Sequence, residues 1–407
     1  MGFDGHRRGD RAYRRLLVGL FFAGVATFAQ LYAPQAVLPA LAADYGVSPA
    51  SAALAVSTAT LGLALAVIPW SMAADRFGRR ATMGVGIAVA TALGLLAPFM
   101  PTMELFLSAR FAEGLALGAV PAIALAYLNE EVHAGHAPQA AGSYIAGTTV
   151  GGLGGRLIAG PLAELGRWET GVFLAAAVCA ASAVLFLWLS PRARRFTPQP
   201  VHPAALTRRL LANLRSPAQL AMYALAFLLM GGFVAVYNYL GFALAAPPLG
   251  LPQWLISLLF LAYLGGTFAS PRAGALAARF GRSPVLLAAI PIMIAGLLLT
   301  AVPALPAILV GLVVFTAGFF GAHTVASGWS PASAPPGTSA QASSLYSLAY
   351  YAGSSALGWG LGFVFDGLGW LGVVAVVTGV CVLASTLAAL VLRLVADAAR
   401  PVPAGVR

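Results

Sequence analysis

Long apolar runs recur along the whole chain, at roughly 16–40, 50–74, 81–100, 103–128, 139–163 and 168–190, then 218–245, 252–274, 283–302, 304–328, 338–365 and 370–393. Each is long enough to cross about 30 Å of bilayer hydrocarbon as a helix. In that solvent every backbone N–H and C=O must be bonded internally, so only helices and closed barrels span it. The expectation is an all-α membrane protein with twelve transmembrane helices. Charged residues are only 9% of the chain, against about 25% in a soluble domain, and with room for a dozen spans this excludes single-anchor enzymes, secreted scaffolds and disordered chains. The arginines ahead of the first run could mimic a signal peptide, but that run is too long and no small-residue cleavage site follows it.

The net charge is +11, and all 23 basic residues are arginine. In a soluble protein such an excess would suggest nucleic acid; here its placement explains it. With the N-terminus cytoplasmic, nineteen arginines fall on the inner side: Arg7, Arg8, Arg11, Arg14, Arg15, Arg76, Arg79, Arg80, Arg192, Arg194, Arg195, Arg208, Arg209, Arg215, Arg279, Arg282, Arg393, Arg400 and Arg407. Only Arg167 falls outside, while Arg110, Arg156 and Arg272 lie within spans. The positive-inside bias therefore puts both termini in the cytoplasm. Cys179 and Cys381 sit in apolar runs without a partner at disulfide or metal-ligand spacing, which reads as buried packing. Glu130, Glu131, His133 and His136 share one short loop with no further ligand, and no metal or other cofactor is expected.

The chain repeats itself. Ala74-Asp75-Arg76-Phe77-Gly78-Arg79 after span two matches Ala277-Ala278-Arg279-Phe280-Gly281-Arg282 after span eight at an offset of 203, as Gly118-Ala119 matches Gly321-Ala322. Tyr144 with Tyr346, and Cys179 with Cys381, align at 202. Two six-span halves in parallel orientation, with a site between them near the midplane, are a transporter architecture. The expected organisation is a cytoplasmic tail 1–15, a six-helix bundle 16–190, a linker 191–217, a second bundle 218–393 and a cytoplasmic tail 394–407. The linker region is rich in arginine and proline and lacks acids, which suits an anionic membrane surface.

Three motifs carry a family resemblance. Ser71 to Arg80 resembles the loop signature G-x-x-x-D-R-x-G-R-R of the major facilitator superfamily, with Ser71 in place of the first Gly. Arg110-Phe-Ala-Glu113-Gly114 is similar to its R-x-x-Q-G signature, with Glu113 in place of Gln, and Gly147 to Gly152 is similar to the antiporter motif of span five without its Pro. The stretches 110–127, 144–160 and 343–358 resemble the YnfM branch of the twelve-span drug:proton antiporters. The resemblance implies two pseudo-symmetric six-helix bundles in the bacterial inner membrane that work by alternating access. It implies a conformational gate at Asp75, Arg76, Gly78, Arg79 and Arg80, with a second copy at Arg279, Gly281 and Arg282. In that gate Asp75 would face the start of span eleven, and Arg76 or Arg80 would reach Glu130 or Glu131 at the end of span four. It also implies a central cavity, for which Gln30, Tyr32, Tyr237, Asn238, Tyr239, Tyr346, Tyr350 and Tyr351 are candidates.

Glu113 is the acid set well inside a span, about ten residues or ~15 Å along span four. A lone charge there costs on the order of 2.5–3.5 kcal/mol even on the lenient insertion scale, so it must be paired or take up a proton. Arg110 lies one turn away on the same face, and Arg156 in span five should reach a similar depth. A carboxylate between two arginines could switch between paired and protonated states, coupling protons to transport; a fixed ion pair is the competing reading. His323 in span ten is the one intramembrane histidine, suited either to proton transfer or to packing. Tyr127 and Tyr144 read as interfacial aromatics.

These features lead to a secondary active transporter, a proton-coupled exporter of small apolar or amphipathic molecules. It would work as a monomer in the bilayer, with small-molecule substrate and protons as partners and no nucleic acid. A sugar or organic-anion symporter or uniporter of the same fold is the alternative, and a non-transporting sensor or a lipid flippase comes from another class. No nucleophile, metal cluster or acid pair points to an enzyme.

Overall fold

A computed structural model describes residues 4–165, 167–194, 196–197 and 203–398. Arg195, Arg400, Arg407 and part of the expected linker and C-terminal tail lie outside these residues. Ten helices are long and apolar enough to cross a membrane. The 29-residue helix Ala137–Leu165 is not among those ten, but it is long enough to span and makes an eleventh. The stretch Ser339–Ala398 is two helices broken at Gly369, where φ is 65° and ψ −160°. The count is therefore twelve. In order the spans are Arg11–Tyr45, Pro49–Phe77, Arg79–Phe99, Met103–Glu131, Ala137–Leu165 and Trp168–Leu189, then Pro217–Ala245, Gln253–Phe280, Arg282–Leu299, Leu305–Ala332, 339–368 and 370–398. A linker helix, Pro203–Leu214, precedes span seven.

The sequence repeat is also a structural repeat. Gly78 ends span two with φ 95° and ψ 144°, and Gly281 ends span eight with φ 90° and ψ 157°. That corner of conformational space is close to one reserved for glycine. In both halves it lets one helix end and the next begin with a single residue between them. The same turn puts Asp75 and Arg79 on facing helix ends in the first half, and Ala278 and Arg282 at the matching places in the second.

The described residues group by contact into two compact units. One comprises Met1–Val201, Ala235–Leu261 and Ser355–Trp370; the other comprises His202–Val234, Ala262–Ser354 and Leu371–Arg407. Grouping by contact thus cuts through spans seven, eight and eleven, whereas grouping by repeat leaves them whole. Within the first unit, span five lies on span one through Gly147, Gly151 and Gly155. A Cβ on any of them would come within 2.1–2.7 Å of the span-one backbone, so the helices touch main chain to main chain. Tyr127 and Tyr144 are buried in this bundle's core rather than set at its interfaces, and Tyr127 donates its hydroxyl to Pro191 O. Cys179 and Cys381 are fully buried free thiols.

The N-terminal segment is tied down. His6 pairs with the span-four end through His6 N to Glu131 O at 2.7 Å and His133 N to His6 O at 3.1 Å. Asp4 lies 3.3 Å from the His133 ring, and the buried Glu131 carboxylate accepts the Arg194 N–H at 2.7 Å. Burial holds the His6 imidazole below its ordinary value of 6.5, against the opposing pull of Glu131; Arg194 adds to the lowering and Asp10 opposes it.

Replacing Gly78 with Ala should cost about 1–3 kcal/mol, because the strained dihedral remains. The exposed helical Gly142, with open space around it, should tolerate Ala, and thermal melts of the two variants check the contrast. For His6, the unfolded segment binds more protons than the folded one just below pH 6.5, so the strap's stability is full above that pH and lost as pH falls towards the depressed value. Amide exchange at 4–10, corrected for intrinsic rates and measured in a His133→Asn background, should be faster at pH 5 than at pH 7.5. His6→Asn should abolish that difference.

Candidate functional site

The site in the first unit begins with a break in span one. Its helix Arg11–Tyr32 passes through a 3₁₀ segment, Ala33–Val37, into Leu38–Tyr45. Pro34 has no N–H, so the Gln30 carbonyl four residues earlier loses its helical donor. In a bilayer that carbonyl cannot turn to water. Arg110 supplies the missing donors: Nη1 bonds Gln30 O at 3.2 Å, Nη2 bonds Leu31 O at 2.8 Å, and Nε bonds Ala55 O on span two at 2.9 Å. Gly114 lets span four come this close, since a Cβ there would lie 2.0 Å from Ala59 O.

Glu113 answers the charge. Its Oε2 accepts from Arg110 Nη1 at 2.6 Å, and the two side chains are 3% and 1% exposed. Its other oxygen, Oε1, and the Oε1 of Gln30 have no hydrogen-bond donor among the described residues. The Gln30 amide is oriented by its Nε2, which donates to Ala26 O at 2.8 Å and Thr91 Oγ1 at 3.3 Å. Both orphan oxygens crowd Gly94, where a Cβ would lie 2.4 Å from one and 3.0 Å from the other. Gln30, Glu113, Arg110 and Gly94 line a cavity of about 10 Å³, about one water-sized probe. Two acceptors facing one small space call for a shared proton or a donor placed between them.

Arg156 does not complete a triad with Glu113, as its depth suggested. Its Nε and Nη2 bond Gln35 Oε1 at 2.9 and 2.5 Å, and Nη1 bonds Gly152 O at 2.8 Å. The guanidinium lies over Tyr32 at 4.4 Å and Phe260 at 4.7 Å. Gln35 passes the link on, from Nε2 to Asn238 Oδ1 at 2.6 Å, and Asn238 Nδ2 reaches Gly358 O at 3.0 Å. Tyr239 donates to the same carbonyl at 2.8 Å, and Ser355 donates to Ser57 O at 2.7 Å. These bonds are why parts of spans seven and eleven group with the first bundle. Sequence reasoning missed Gln35. The signal was its position one residue after Pro34, inside the break, where a polar side chain in a membrane helix needs a partner.

Seven of the eight cavity candidates, Gln30, Tyr32, Tyr237, Asn238, Tyr239, Tyr346 and Tyr351, are buried, and Tyr350 is half-buried. Tyr237 stacks on Phe260 at 5.4 Å. In the second unit His323 Nδ1 lies 3.1 Å from the Tyr346 hydroxyl, and the ring lies 4.7 Å from Tyr350 and 5.8 Å from Phe319. His323 thus sits in an aromatic cluster with one hydroxyl partner.

The gate loop corrects the expected pairing. Arg79, not Arg76 or Arg80, reaches Glu130, with Nη2 to Oε1 at 2.7 Å and Nε to Oε1 at 3.0 Å. The same guanidinium holds Asp75 at 2.6 Å. Arg80 donates to Leu187 O at the end of span six, and Arg76 lies over Phe77 at 5.4 Å. The Gly78 turn sets this choice by placing Arg79 at the first position of span three, four residues from Asp75. Arg279 lies over Phe280 at 4.9 Å, and Ala278 leaves the second copy without the acid of the first.

Residues 20–358 match the Major Facilitator Superfamily. The chain belongs to this family. It is 35% identical over 372 residues to an uncharacterised transporter of this type, YybF of Bacillus subtilis, covering 91% of this chain and 92% of the relative. It is 37% identical over 378 residues to the inner membrane transport protein YnfM of Escherichia coli, covering 93% and 90%. Among solved structures, a bacterial homologue of the human lysosomal transporter Spinster, inward-facing and unoccupied, superposes with a TM-score of 0.76 at 18% identity, over 97% of this chain and 100% of that one. The protein is therefore a multi-pass membrane transporter with the twelve-helix fold of the superfamily, and not an enzyme.

Arg110→Ala should destabilise the fold by about 3–5 kcal/mol, because it leaves a buried carboxylate and two carbonyls without donors. The double variant Arg110→Ala/Glu113→Ala should recover part of that loss, as read in a double-mutant cycle of thermal melts.

Proposed function

We propose that this member of the superfamily is a proton-coupled exporter of small apolar or amphipathic molecules, with Glu113 as the proton carrier. The observation that carries the reading is the pair of unpartnered acceptors, Glu113 Oε1 and Gln30 Oε1, facing one water-sized cavity. An ionised Glu113 leaves both without a donor, whereas a protonated Glu113 donates to Gln30. The ionised form is favoured in turn by Arg110 at 2.6 Å. Two states of similar energy, switched by one proton, are what coupling requires. Arg110 is held by three backbone carbonyls in either state, so the proton can leave without releasing the arginine.

Two bonded clusters supply the gates in this reading. Arg156, Gln35 and Asn238 hold span seven to spans one and five on the arginine-poor side, while Asp75, Arg79 and Glu130 clasp the loop on the arginine-rich side. The arginine bias puts the termini and that loop in the cytoplasm. The six-helix bundles 16–190 and 218–393 are the moving bodies, joined by the linker 191–217 and working as a monomer. The aromatic cluster of His323, Tyr346 and Tyr350 suits apolar substrates. Arg156, clasped by Gln35 between two rings, is placed to lock rather than to receive an anion, which weighs against the organic-anion alternative.

Reconstituted protein should alkalinise or acidify liposomes loaded with a pH dye when a transported compound from a panel of apolar drugs, sugars and organic acids is added. Glu113→Gln should lose substrate-dependent proton flux by at least tenfold while keeping the fold. Equal proton flux in both proteins would make Glu113 a fixed structural group.

A further inference from the structure

The two halves differ at one place where the repeat predicts likeness. At the offset of 203, Ala273 on span eight stands where Trp70 stands on span two. In the first half the Trp70 indole crosses to span four and donates to Leu115 O at 2.6 Å. In the second half the methyl of Ala273 replaces the indole, and Ala288 replaces Val85 on the next helix. What results is a groove between spans eight, nine and ten with a volume of about 370 Å³. Its walls are apolar apart from Arg272, and its rim carries the exposed side chains of Leu276, Phe280 and Ile292.

Arg272 is out of place in such a groove. Its hydrogen bond is to Phe268 O at 2.9 Å, one turn back on its own helix, and its guanidinium lies 5.9 Å from the Phe268 ring. A guanidinium has five N–H donors, and this side chain is exposed on a membrane-spanning helix, where hydrocarbon offers the rest no acceptor. The nearest charges along the helix are Arg279 and Arg282, which flank the turn at the groove's mouth. No acid occurs anywhere between Glu169 and Asp366, so spans eight to ten offer three arginines and no carboxylate of their own. Among the described residues none of these three arginines makes an ion pair with a carboxylate, so an anion from outside the protein can serve as counter-charge.

We infer that this groove binds an anionic phospholipid of the surrounding bilayer. One acyl chain fills the space that Trp70 fills in the other half, and the phosphate lies between Arg272 and the arginines of the turn. The apolar walls match a hydrocarbon chain, while the surplus of guanidinium selects a negative headgroup, for which Arg is the preferred partner. A water-borne anion has no apolar part to occupy the groove, and a zwitterionic lipid leaves net positive charge behind.

Native mass spectrometry of the full-length protein, titrated with phosphatidylglycerol or phosphatidylcholine, tests this without any reference to transport. Wild type should hold one phosphatidylglycerol at least tenfold more tightly than phosphatidylcholine. Ala273→Trp, which rebuilds the first-half arrangement, should weaken phosphatidylglycerol binding at least tenfold with the melting temperature retained. Arg272→Gln, which leaves the groove open, should bind both lipids alike. Unchanged phosphatidylglycerol affinity in a folded Ala273→Trp would overturn the site, and an undiminished headgroup preference in Arg272→Gln would overturn the role of the charge. Should Ala273→Trp fail to fold, the Arg272→Gln comparison decides.

Discussion

The carbonyls left in the middle of span one by Pro34 and the 3₁₀ segment around it organise much of the first unit. In water they would be solvated at little cost. In a bilayer they need donors from the protein, and the donors come from Arg110 on span four. A buried guanidinium then needs a counter-charge, which is Glu113, and close access, which Gly114 provides by letting span four press on Ala59. One proline thus entails an arginine, a glutamate and a glycine at fixed relative positions. The R-x-x-E-G spacing is the sequence trace of that chain of necessities.

The same break yields a second set of consequences one residue later. Gln35 sits within the 3₁₀ segment and so points away from the regular helical face. It is held by Arg156 from span five and holds Asn238 on span seven. The first site is self-contained in one bundle, whereas the second reaches residues 235–261 and, through Asn238, Gly358. Gln30, which faces Glu113, lies five residues from this clasp along span one, so the break joins the two clusters by a short stretch of chain.

The two halves share a repeated backbone and differ in the contacts made around it. The glycine turns at 78 and 281 share their dihedral angles, because no other residue type adopts them cheaply. Around that fixed turn the side chains have drifted. Asp75 becomes Ala278 and the clasp is lost; Trp70 becomes Ala273 and a groove opens. Backbone constraints held, while contacts that only one half uses did not.

The apolar runs, the arginine asymmetry and the offset of 203 made the twelve spans and the repeat legible in the sequence, because the bilayer allows few alternatives to a helix and glycine marks its own dihedral. The pairing of Arg110 with Glu113 was also legible, since residues three apart on a helix must be neighbours. What the sequence left open was every partner set by packing between helices. Arg79 rather than Arg76 or Arg80 meets Glu130 because the Gly78 turn fixes where span three starts. Arg156 meets Gln35 because the 3₁₀ segment rotates that side chain off the helix's regular face. Asn238 meets Gln35 because both side chains are buried and each needs a partner. Local rules determine which segments cross the membrane; only the tertiary structure decides which buried polar groups meet, because that depends on helix rotation and breaks that no periodicity records.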